Sequence, residues 1–292
     1  MLNYEVCKYW RFEHTVCRYE PRDTILYALG IGAGGDPVSP QQLRFVYEKE
    51  LAAIPTLATV LGSAGMWMSD PRTGIDTLKL VHGEQHLRLH RPLPPAGTLI
   101  ARHRVEAVVD KGPGKGALLV TRKELLDAAD GSPVCETRSI AFLRGDGGFS
   151  AQHGMSDPAP PRLPAPPERP ADQECSYTTL PQAALIYRLS GDLNALHADP
   201  EVVRRAGFDR PILHGLCTYG MAARAAIEVL LDGQAERLRA IAARFTAPVW
   251  PGETVRFEFW REGGGRVHLR ARVDARHAVV LDHGVMELEN AL

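Results

Sequence analysis

The chain has 292 residues, of which 45% are apolar and 24% are charged, and its formal net charge is −1. This composition is that of a folded protein, and the length suits two domains of roughly 130–150 residues each. A nearly neutral chain lacks the concentrated basic surface that nucleic acid requires. This excludes a general nucleic-acid binder and leaves room only for a local basic pocket that holds a phosphorylated ligand.

Five cysteines are spread along the chain, and no two of them form a CxxC pair. An odd count without such pairs argues against a disulfide scaffold and a zinc site, and it fits a reducing compartment. Residues 1–10 contain no long apolar run, no segment reaches the ~20 apolar residues of a membrane helix, and the last three residues are not Ser-Lys-Leu. We therefore expect a cytoplasmic protein with no membrane partner.

The first half of the chain predicts one helix and four strands. The helix is expected near residues 56–68, and the apolar residues that follow fit strands rather than helices. The predicted strands are 86–90, 99–109, 117–126 and 139–143.

A proline-rich segment follows and separates two halves of the chain. Seven of the thirteen residues from 158 to 170 are proline, so this segment can form neither a helix nor the interior of a sheet. We expect a first unit at 1–150, a linker at 151–170 and a second unit at 171–292.

In the second half, residues 215–231 predict a helix that is apolar over most of its circumference, as a buried helix is. Alternating apolar and polar residues after it predict four strands. A long helix wrapped by an antiparallel sheet is an α+β arrangement, and two such units could join their sheets and enclose a site between them. The predicted strands are 239–245, 254–261, 266–273 and 279–288.

The two halves resemble distant copies of each other. Tyr27 and Tyr187 lie in similar segments 160 residues apart, and Thr98 and Thr254 end similar Pro- and Gly-containing turns 156 residues apart. Two separate matches at nearly one offset favour an internal duplication over a chance similarity of turn-rich segments.

Three residues that can handle a proton or a water lie within six positions of the second half, namely Asp192, Asn194 and His197. An aspartate and a histidine with tuned pKa values form a general acid and base pair, and an asparagine beside them can orient a water. Gly215 stands where the long helix is predicted to begin, and the N–H groups of a helix start can stabilise an oxyanion. This set suits the addition of water to a double bond conjugated to a thioester.

Each of these residues also has a structural explanation. Asp192 and Asn194 belong to residue types that often cap helices or form turns, and a single histidine is more often structural than catalytic. Gly215 would also allow tight helix packing. The spacing alone leaves these alternatives open.

The surrounding residues resemble a known family. Residues 187–200 resemble the signature of the hydratase-2 family of MaoC-like, (R)-specific enoyl-CoA hydratases, in which a tyrosine precedes Gly-Asp-x-Asn-Pro, an apolar residue and a histidine. Other segments are similar to the hydratase domain of peroxisomal multifunctional enzyme type 2, and the match covers nearly the whole chain in order. These segments are 80–85, 110–114, 145–149, 211–218 and 243–254.

The resemblance implies a double hot-dog fold, in which two tandem units each wrap a long helix in an antiparallel sheet. It implies reversible addition of water to a trans-2-enoyl-CoA, which gives a (3R)-3-hydroxyacyl-CoA. Asp192 and His197 would then be the acid and base pair that holds the water, with Asn194 beside it. The Gly215 amide would bind the thioester oxygen.

The same resemblance implies acyl-CoA contacts at His82, Gly83, Lys111 and Phe245. It also implies that the first unit has lost the catalytic pair and helps to bind the acyl group, since residues 31–36 contain no Asp and His counterpart. CoA would be part of the substrate, with no metal and no other cofactor. We expect a homodimer.

Ala195 departs from the family, which usually has proline at this position. Proline mainly stiffens such a loop, by about 0.4–1 kcal/mol. We therefore expect the chemistry to survive and the order of the loop to suffer.

Other functions fit parts of the sequence. His82, His86 and His90 are four residues apart and would line one face of a helix as metal ligands, but Leu87 and Leu89 alternate with polar residues as in a strand. A hot-dog thioesterase or a non-catalytic acyl-CoA-binding protein remains an alternative. The residue set fits hydration better, and a binder has no reason to keep the set in only one half. The acyl group, the direction of the reaction and an acyl-carrier protein in place of CoA stay open.

Overall fold

In the computed structural model, which describes residues 1–289, ten antiparallel strands form one sheet. The strands are β1 (Thr15–Tyr19), β2 (Leu80–Leu89), β3 (Gly97–Asp110), β4 (Ala117–Asp127), β5 (Pro133–Leu143), β6 (Gln173–Thr178), β7 (Leu238–Phe245), β8 (Thr254–Arg261), β9 (Arg266–Val273) and β10 (Ala278–Leu288). Their order across the sheet is β1-β3-β4-β5-β2-β7-β10-β9-β8-β6.

This order consists of two mirrored sets of five strands. The first half of the chain supplies β1 to β5 and the second supplies β6 to β10, so that β1 and β6 form the two edges while β2 and β7 meet in the middle. The two central strands pair antiparallel, with Glu84 opposite Arg244 and Leu87 opposite Ile241. The mirrored order is what an internal duplication produces, and the two sheets join as the sequence led us to expect.

One helix is much longer than the others. The α-helices are α1 (Tyr4–Lys8), α2 (Pro21–Gly30), α3 (Pro40–Leu43), α4 (Ser150–His153), α5 (Ala183–Tyr187), α6 (Pro200–Arg205) and α7 (Gly215–Leu230). Twelve of the sixteen residues of α7 are buried, because the helix is apolar on nearly all sides and packs against the sheet. The helix predicted at 215–231 is therefore confirmed.

The long helix predicted for the first half, near residues 56–68, is wrong. The chain there forms a 3-10 helix of one or two turns, Pro55–Thr59. It then reaches Gly62 and Gly65, whose φ angles of 62° and 68° lie outside the helical region. The first hot-dog unit thus wraps a short turn rather than a full helix.

A buried lysine holds this irregular segment in place. The ammonium group of Lys123, on β4, donates to the carbonyl oxygens of Ala58, Thr59 and Leu61 at 3.0, 3.0 and 2.6 Å. These carbonyls would otherwise be buried without the partners that a continued helix provides. The side chain therefore replaces backbone hydrogen bonds that the interrupted helix lacks.

The proline-rich part of the linker, residues 158–170, forms neither helix nor strand, in agreement with its prolines, while the first residues of the linker complete α4. Its end is fixed to the second half, because the Trp260 indole N–H donates to the carbonyl oxygen of Arg169 at 2.7 Å. No helix within residues 1–289 is long and apolar enough to cross a membrane. Residues 290–292, which bear on the expected absence of a peroxisomal signal, lie outside the described residues.

Candidate active site

The segment that carries Asp192 is a loop between two 3-10 turns, Arg188–Ser190 and Ala195–His197. Gly191 opens the loop with a φ angle of 114°, a conformation that residues with a side chain rarely adopt. Oδ1 of Asp192 accepts the backbone N–H of Asn194 at 3.2 Å. The turn therefore holds the carboxylate by one oxygen and leaves the other oxygen for a further partner.

Asn194 contributes to the fold of this loop. Its side-chain oxygen accepts the N–H of Leu196 at 3.1 Å and so caps the turn that ends at His197. The residue is exposed. Its predicted role in orienting a water stays a prediction.

His197 is buried, and its protonation is fixed by a backbone carbonyl. Nδ1 lies 2.8 Å from the carbonyl oxygen of Ile212, and since a carbonyl only accepts, Nδ1 carries the proton and Nε2 keeps a free lone pair. Burial lowers the pKa of His197, while the bond to Ile212 and the charge of Asp192 oppose this shift. The ring is therefore a neutral base near neutral pH.

The start of α7 supplies the third element of the site. Gly215 is the first residue of the helix, and N–H groups in the first turn have no acceptor within the helix. A Cβ at this position would lie 3.1 Å from two ring carbons of Phe245, so only glycine fits against that ring without a shift. The Gly215 N–H, at the positive end of the helix dipole, can bind a developing negative charge.

His82 and Phe245 come from the two central strands and meet at the site. Their rings lie 4.6 Å apart, with His82 on β2 and Phe245 at the end of β7. Burial lowers the pKa of His82 to about 4, although the nearby Asp192 carboxylate and a bond to the Glu84 carbonyl raise it. The two halves of the chain meet where β2 pairs with β7, and we call this junction the seam. The seam therefore brings a neutral imidazole and an aromatic ring from distant parts of the chain to Gly215.

Gly83 follows His82 on β2, whereas Lys111 lies directly after the end of β3. Gly83 forms a bulge in β2, and a Cβ there would lie 3.0 Å from the carbonyl oxygen of Ile140. Lys111 is exposed, and its ammonium group lies 4.8 Å from the centre of the Phe142 ring, which also flanks Gly83. The predicted contact of Lys111 with CoA stays a prediction.

The sequence analysis missed His214, which lies in the centre of the site. Its ring stacks on that of His197 with centroids 3.6 Å apart, and its Nε2 lies 3.2 Å from the carbonyl oxygen of Asp192. The signal was available, because His214 directly precedes Gly215 and lies within the segment 211–218 that resembles the family. A histidine next to a helix start does not by itself reveal that its ring turns back to a loop twenty residues earlier.

The same three side chains resemble a metal site at first sight. The ligand atoms of Asp192, His197 and His214 lie within 4.8 Å of one another. The two imidazole rings, however, are stacked with centroids 3.6 Å apart and planes inclined by only 27°, so their in-plane lone pairs lie in separate, nearly parallel planes and do not meet at one ion. We assign no metal centre to this cluster. His82 and His86 lie on a strand and not on a helix, as the alternating pattern predicted.

Comparison with known proteins gives the family. Residues 17–145 match the family model of the MFE-2 hydratase 2 N-terminal domain, and residues 162–281 match that of the MaoC like domain. The chain is 42% identical over 281 residues to 3-hydroxyacyl-thioester dehydratase Y of Mycobacterium tuberculosis, which covers 94% of each chain. The chain belongs to the hydratase 2 family of MaoC-like proteins.

Other members of this MaoC-like family agree with the assignment. The peroxisomal enoyl-CoA hydratase 2 of Arabidopsis thaliana is 38% identical over 282 residues, which are 90% of this chain and 88% of that protein. The crystal structure of a MaoC-like dehydratase from Phytophthora capsici superposes with a TM-score of 0.85 at 32% identity, over 99% of this chain and 98% of that one. The expected double hot-dog fold and the resemblance to the family are both confirmed.

Proposed function

We propose that this MaoC-like protein is an (R)-specific 2-enoyl-CoA hydratase, which adds water reversibly to a trans-2-enoyl-CoA and forms the (3R)-3-hydroxyacyl-CoA. The proposal rests above all on one arrangement, in which a carboxylate oxygen of Asp192 and a ring nitrogen of the neutral His197 lie within 4.8 Å of each other, a separation that one water can bridge. The names of the relatives support it, since a hydratase and a 3-hydroxyacyl-thioester dehydratase run one reaction in opposite directions.

In the proposed mechanism, a water lies between the free oxygen of Asp192 and Nε2 of His197. As its oxygen bonds to C3 of the enoyl group, one proton of the water passes to the pair, and the pair delivers a proton to C2. The thioester oxygen gains negative charge during this step and is stabilised by the Gly215 N–H. Water is consumed, no redox change occurs, and the reverse sequence is the dehydration.

The proposed substrate contacts follow the same arrangement. His82 and Phe245 flank Gly215 and would enclose the thioester and the first carbons of the acyl chain. Lys111 would attract the phosphates of CoA, since it is exposed and makes no ion pair within the described residues. The degenerate first unit, with its short turn in place of a helix, would leave room for a long or bulky acyl group.

An assay of the conjugated enoyl-thioester absorbance with trans-2-enoyl-CoAs of several lengths tests the proposal. We expect the absorbance to fall, the product to be the (3R) alcohol and no free thiol to appear. Asp192→Asn and His197→Gln should each reduce kcat by about 10²–10⁴-fold, the usual contribution of a general acid or base. Asp130→Asn, in the turn after β4, and His90→Gln, both exposed, are matched controls that should keep full activity.

The assay also separates the alternatives. Free CoA in place of the alcohol would make the protein a thioesterase on the same fold. Binding of CoA esters without any turnover would make it an acyl-CoA-binding protein. Faster turnover of acyl-carrier-protein thioesters than of CoA thioesters would identify acyl-carrier protein, and not CoA, as the carrier of the acyl group.

We further propose that the protein acts in the cytoplasm as a homodimer and uses no cofactor besides the CoA of its substrate. Free thiols at all five cysteines support a reducing compartment, although some relatives carry peroxisomal names. Several exposed leucines beside the catalytic loop support association with a second copy. The leucines are Leu180, Leu185, Leu189 and Leu193. Light scattering tests the homodimer, and cell fractionation tests the location in the cytoplasm.

A further inference from the structure

His214 connects two parts of the site that come from different segments of the chain. Its backbone forms the start of α7, because its carbonyl oxygen accepts the N–H groups of Cys217 and Thr218 at 3.0 and 3.4 Å. Its side chain turns back and lies 3.2 Å from the carbonyl oxygen of Asp192. One residue therefore touches both the loop that carries the acid and the helix start that presents the Gly215 N–H.

The hydrogen bond fixes the tautomer of this ring. A carbonyl oxygen only accepts, so Nε2 of His214 carries the proton and Nδ1 does not. His197 has the opposite tautomer, with its proton on Nδ1 and directed to Ile212. The two stacked rings are thus each held by a backbone carbonyl, which leaves Nε2 of His197 and Nδ1 of His214 without a proton.

His214 is poorly suited to carry a proton in the reaction. Burial lowers the pKa of His214 to about 4, the charge that His197 can acquire acts in the same direction, and Asp192 opposes the shift. The ring is 1% exposed, and its Nδ1 has no partner within residues 1–289. Its only proton at neutral pH is bound to the Asp192 carbonyl, and losing it would break the contact that holds the loop.

The stack explains why an aromatic ring is needed as well as a donor. His214 lies between the rings of His197, at 3.6 Å, and Tyr187, at 4.9 Å, so it fills the space behind the base. Tyr187 is itself fully buried, so this group of rings is tightly packed. Loss of the donor alone would free the Asp192 loop, and loss of the ring alone would let His197 tilt.

We propose that His214 is a positioning residue that sets the distance between the acid and base pair and the oxyanion donor, through one hydrogen bond to the Asp192 carbonyl and one stack on His197. This inference rests on the proposed function, since it concerns the same site. A displacement of about 1 Å between reacting groups can cost on the order of 10²-fold in rate. A tie between loop and helix therefore has a direct effect on turnover and little effect on binding.

The test compares two substitutions at this position. His214→Phe keeps a stacked ring and loses the donor, and we expect kcat to fall by about 10–100-fold with KM within about two-fold. His214→Gln keeps an N–H that can reach the same carbonyl but loses the stack, so its kcat should fall by about two- to five-fold, clearly less than that of His214→Phe. The pH profile of kcat should keep its shape in both variants, because His214 transfers no proton.

Three results would overturn the inference. Equal losses in His214→Phe and His214→Gln would mean that the donor is not what matters, and loss of one limb of the pH profile in His214→Phe would make His214 a proton carrier. Nitrogen-15 NMR of the unsubstituted protein gives a reading that does not depend on the variants folding, and a proton on Nδ1 of His214 would exclude the bond. If the unsubstituted protein shows no hydratase activity, the proposed function fails first. If Asp192→Asn and His197→Gln are both inactive while His214→Phe keeps full kcat, the inference alone fails.

Discussion

Gly215 is a position at which one added methyl group would disturb both the packing of the helix start and the proposed oxyanion donor. In Gly215→Ala the new Cβ would lie 3.1 Å from the Phe245 ring, so either the ring or the helix start must move. We expect kcat/KM to fall at least about 10-fold, since loss of one oxyanion donor costs up to about 10²–10³-fold. The thermal midpoint should change little, because alanine is itself favourable in a helix.

A matched substitution controls for the general effect of replacing glycine. At Gly263, in the turn between β8 and β9, a new methyl group would have no heavy atom within 4 Å, so Gly263→Ala should leave kcat/KM unchanged. Adding Phe245→Leu to Gly215→Ala should restore part of the lost activity by making space. Full activity of Gly215→Ala would mean that the helix start accepts the methyl group without displacing this N–H.

Three histidines of the site, of which His197 and His214 are buried and His82 is half-buried, predict loss of stability in acid. Burial lowers the pKa of His82 and of His214 to about 4 and also lowers that of His197. An unfolded histidine titrates near 6.5, so below about pH 6.5 the unfolded chain binds more protons than the native one, and the free energy of unfolding falls toward pH 4. Above pH 6.5 this contribution is constant.

Urea unfolding between pH 7.5 and pH 4.5 measures this slope. Carboxylates whose pKa is held low, such as Glu84, weaken in the same range, so the comparison must be between variants. His82→Phe should show a shallower decline than the unchanged protein, whereas His90→Gln, at an exposed site, should show the same decline. Identical slopes in all three proteins would mean that His82 is not buried in its neutral form.

At the scale of elements, two long helices were predicted from the sequence. The prediction at 215–231 is confirmed and the one at 56–68 is wrong, and the difference has a physical reason. The helix at 215–231 is continuous, because a run of apolar, helix-favouring residues is buried on almost every side. The stretch at 56–68 has a similar apolar content, but Gly62 and Gly65 interrupt it and a lysine sixty residues later takes its carbonyls. A local pattern cannot reveal a partner so distant in sequence.

Lys123 is expected to be essential for this interrupted element. Lys123→Met would keep the bulk and leave the carbonyls of Ala58, Thr59 and Leu61 buried without a donor. We expect the free energy of unfolding to fall by about 2–4 kcal/mol, as for other buried polar groups that lose a charged partner. Lys115→Met, in the exposed turn before β4, is the control and should stay within about 0.5 kcal/mol. Similar values for both lysines would show that water replaces the ammonium group.

The catalytic loop offers a stabilising substitution. Ala195 is the first residue of the turn Ala195–His197, and the residue before it, Asn194, has φ −55° and ψ 125°, which is the extended conformation that proline requires of its predecessor. Ala195→Pro should therefore raise the free energy of unfolding by about 0.4–1 kcal/mol without loss of kcat. Chemical denaturation and the enoyl-CoA assay measure the two quantities. A fall in stability would show that the loop cannot accept the ring.

At the scale of the whole molecule, the mirrored sheet explains which parts of the site sequence could predict. Asp192, His197 and Gly215 fall within 24 residues, so one local segment and a helix start were enough to find them. His82 and Phe245 reach the same place only because β2 and β7 pair at the centre of the sheet. His82 and Phe245 could be predicted as site residues only from the resemblance to a family, since no spacing within one sequence reveals that β2 and β7 pair.

The same seam joins the two halves through one buried ion pair. Oε1 of Glu84, on β2, accepts Nε and Nη2 of Arg244, on β7, at 3.0 and 2.6 Å. Burial opposes ionisation of this carboxyl, yet hydrogen bonds from His86 and Arg244 hold the pKa of Glu84 below its ordinary value. Glu84 also neighbours His82 along the strand, so the pair fixes the register on which the site depends.

Glu84→Gln keeps the shape of the side chain and removes its charge. We expect the free energy of unfolding at pH 7 to fall by about 1–2 kcal/mol, less than for a fully buried pair because the Arg244 side chain is 35% exposed. Glu287→Gln breaks a second pair between the halves, with Arg88, but both side chains are about half exposed, and the change should stay within about 0.5 kcal/mol. Urea unfolding should retain a single transition in both variants. Equal effects would mean that burial at the seam does not strengthen the Glu84 pair, and a second transition would mean that the two halves can unfold separately.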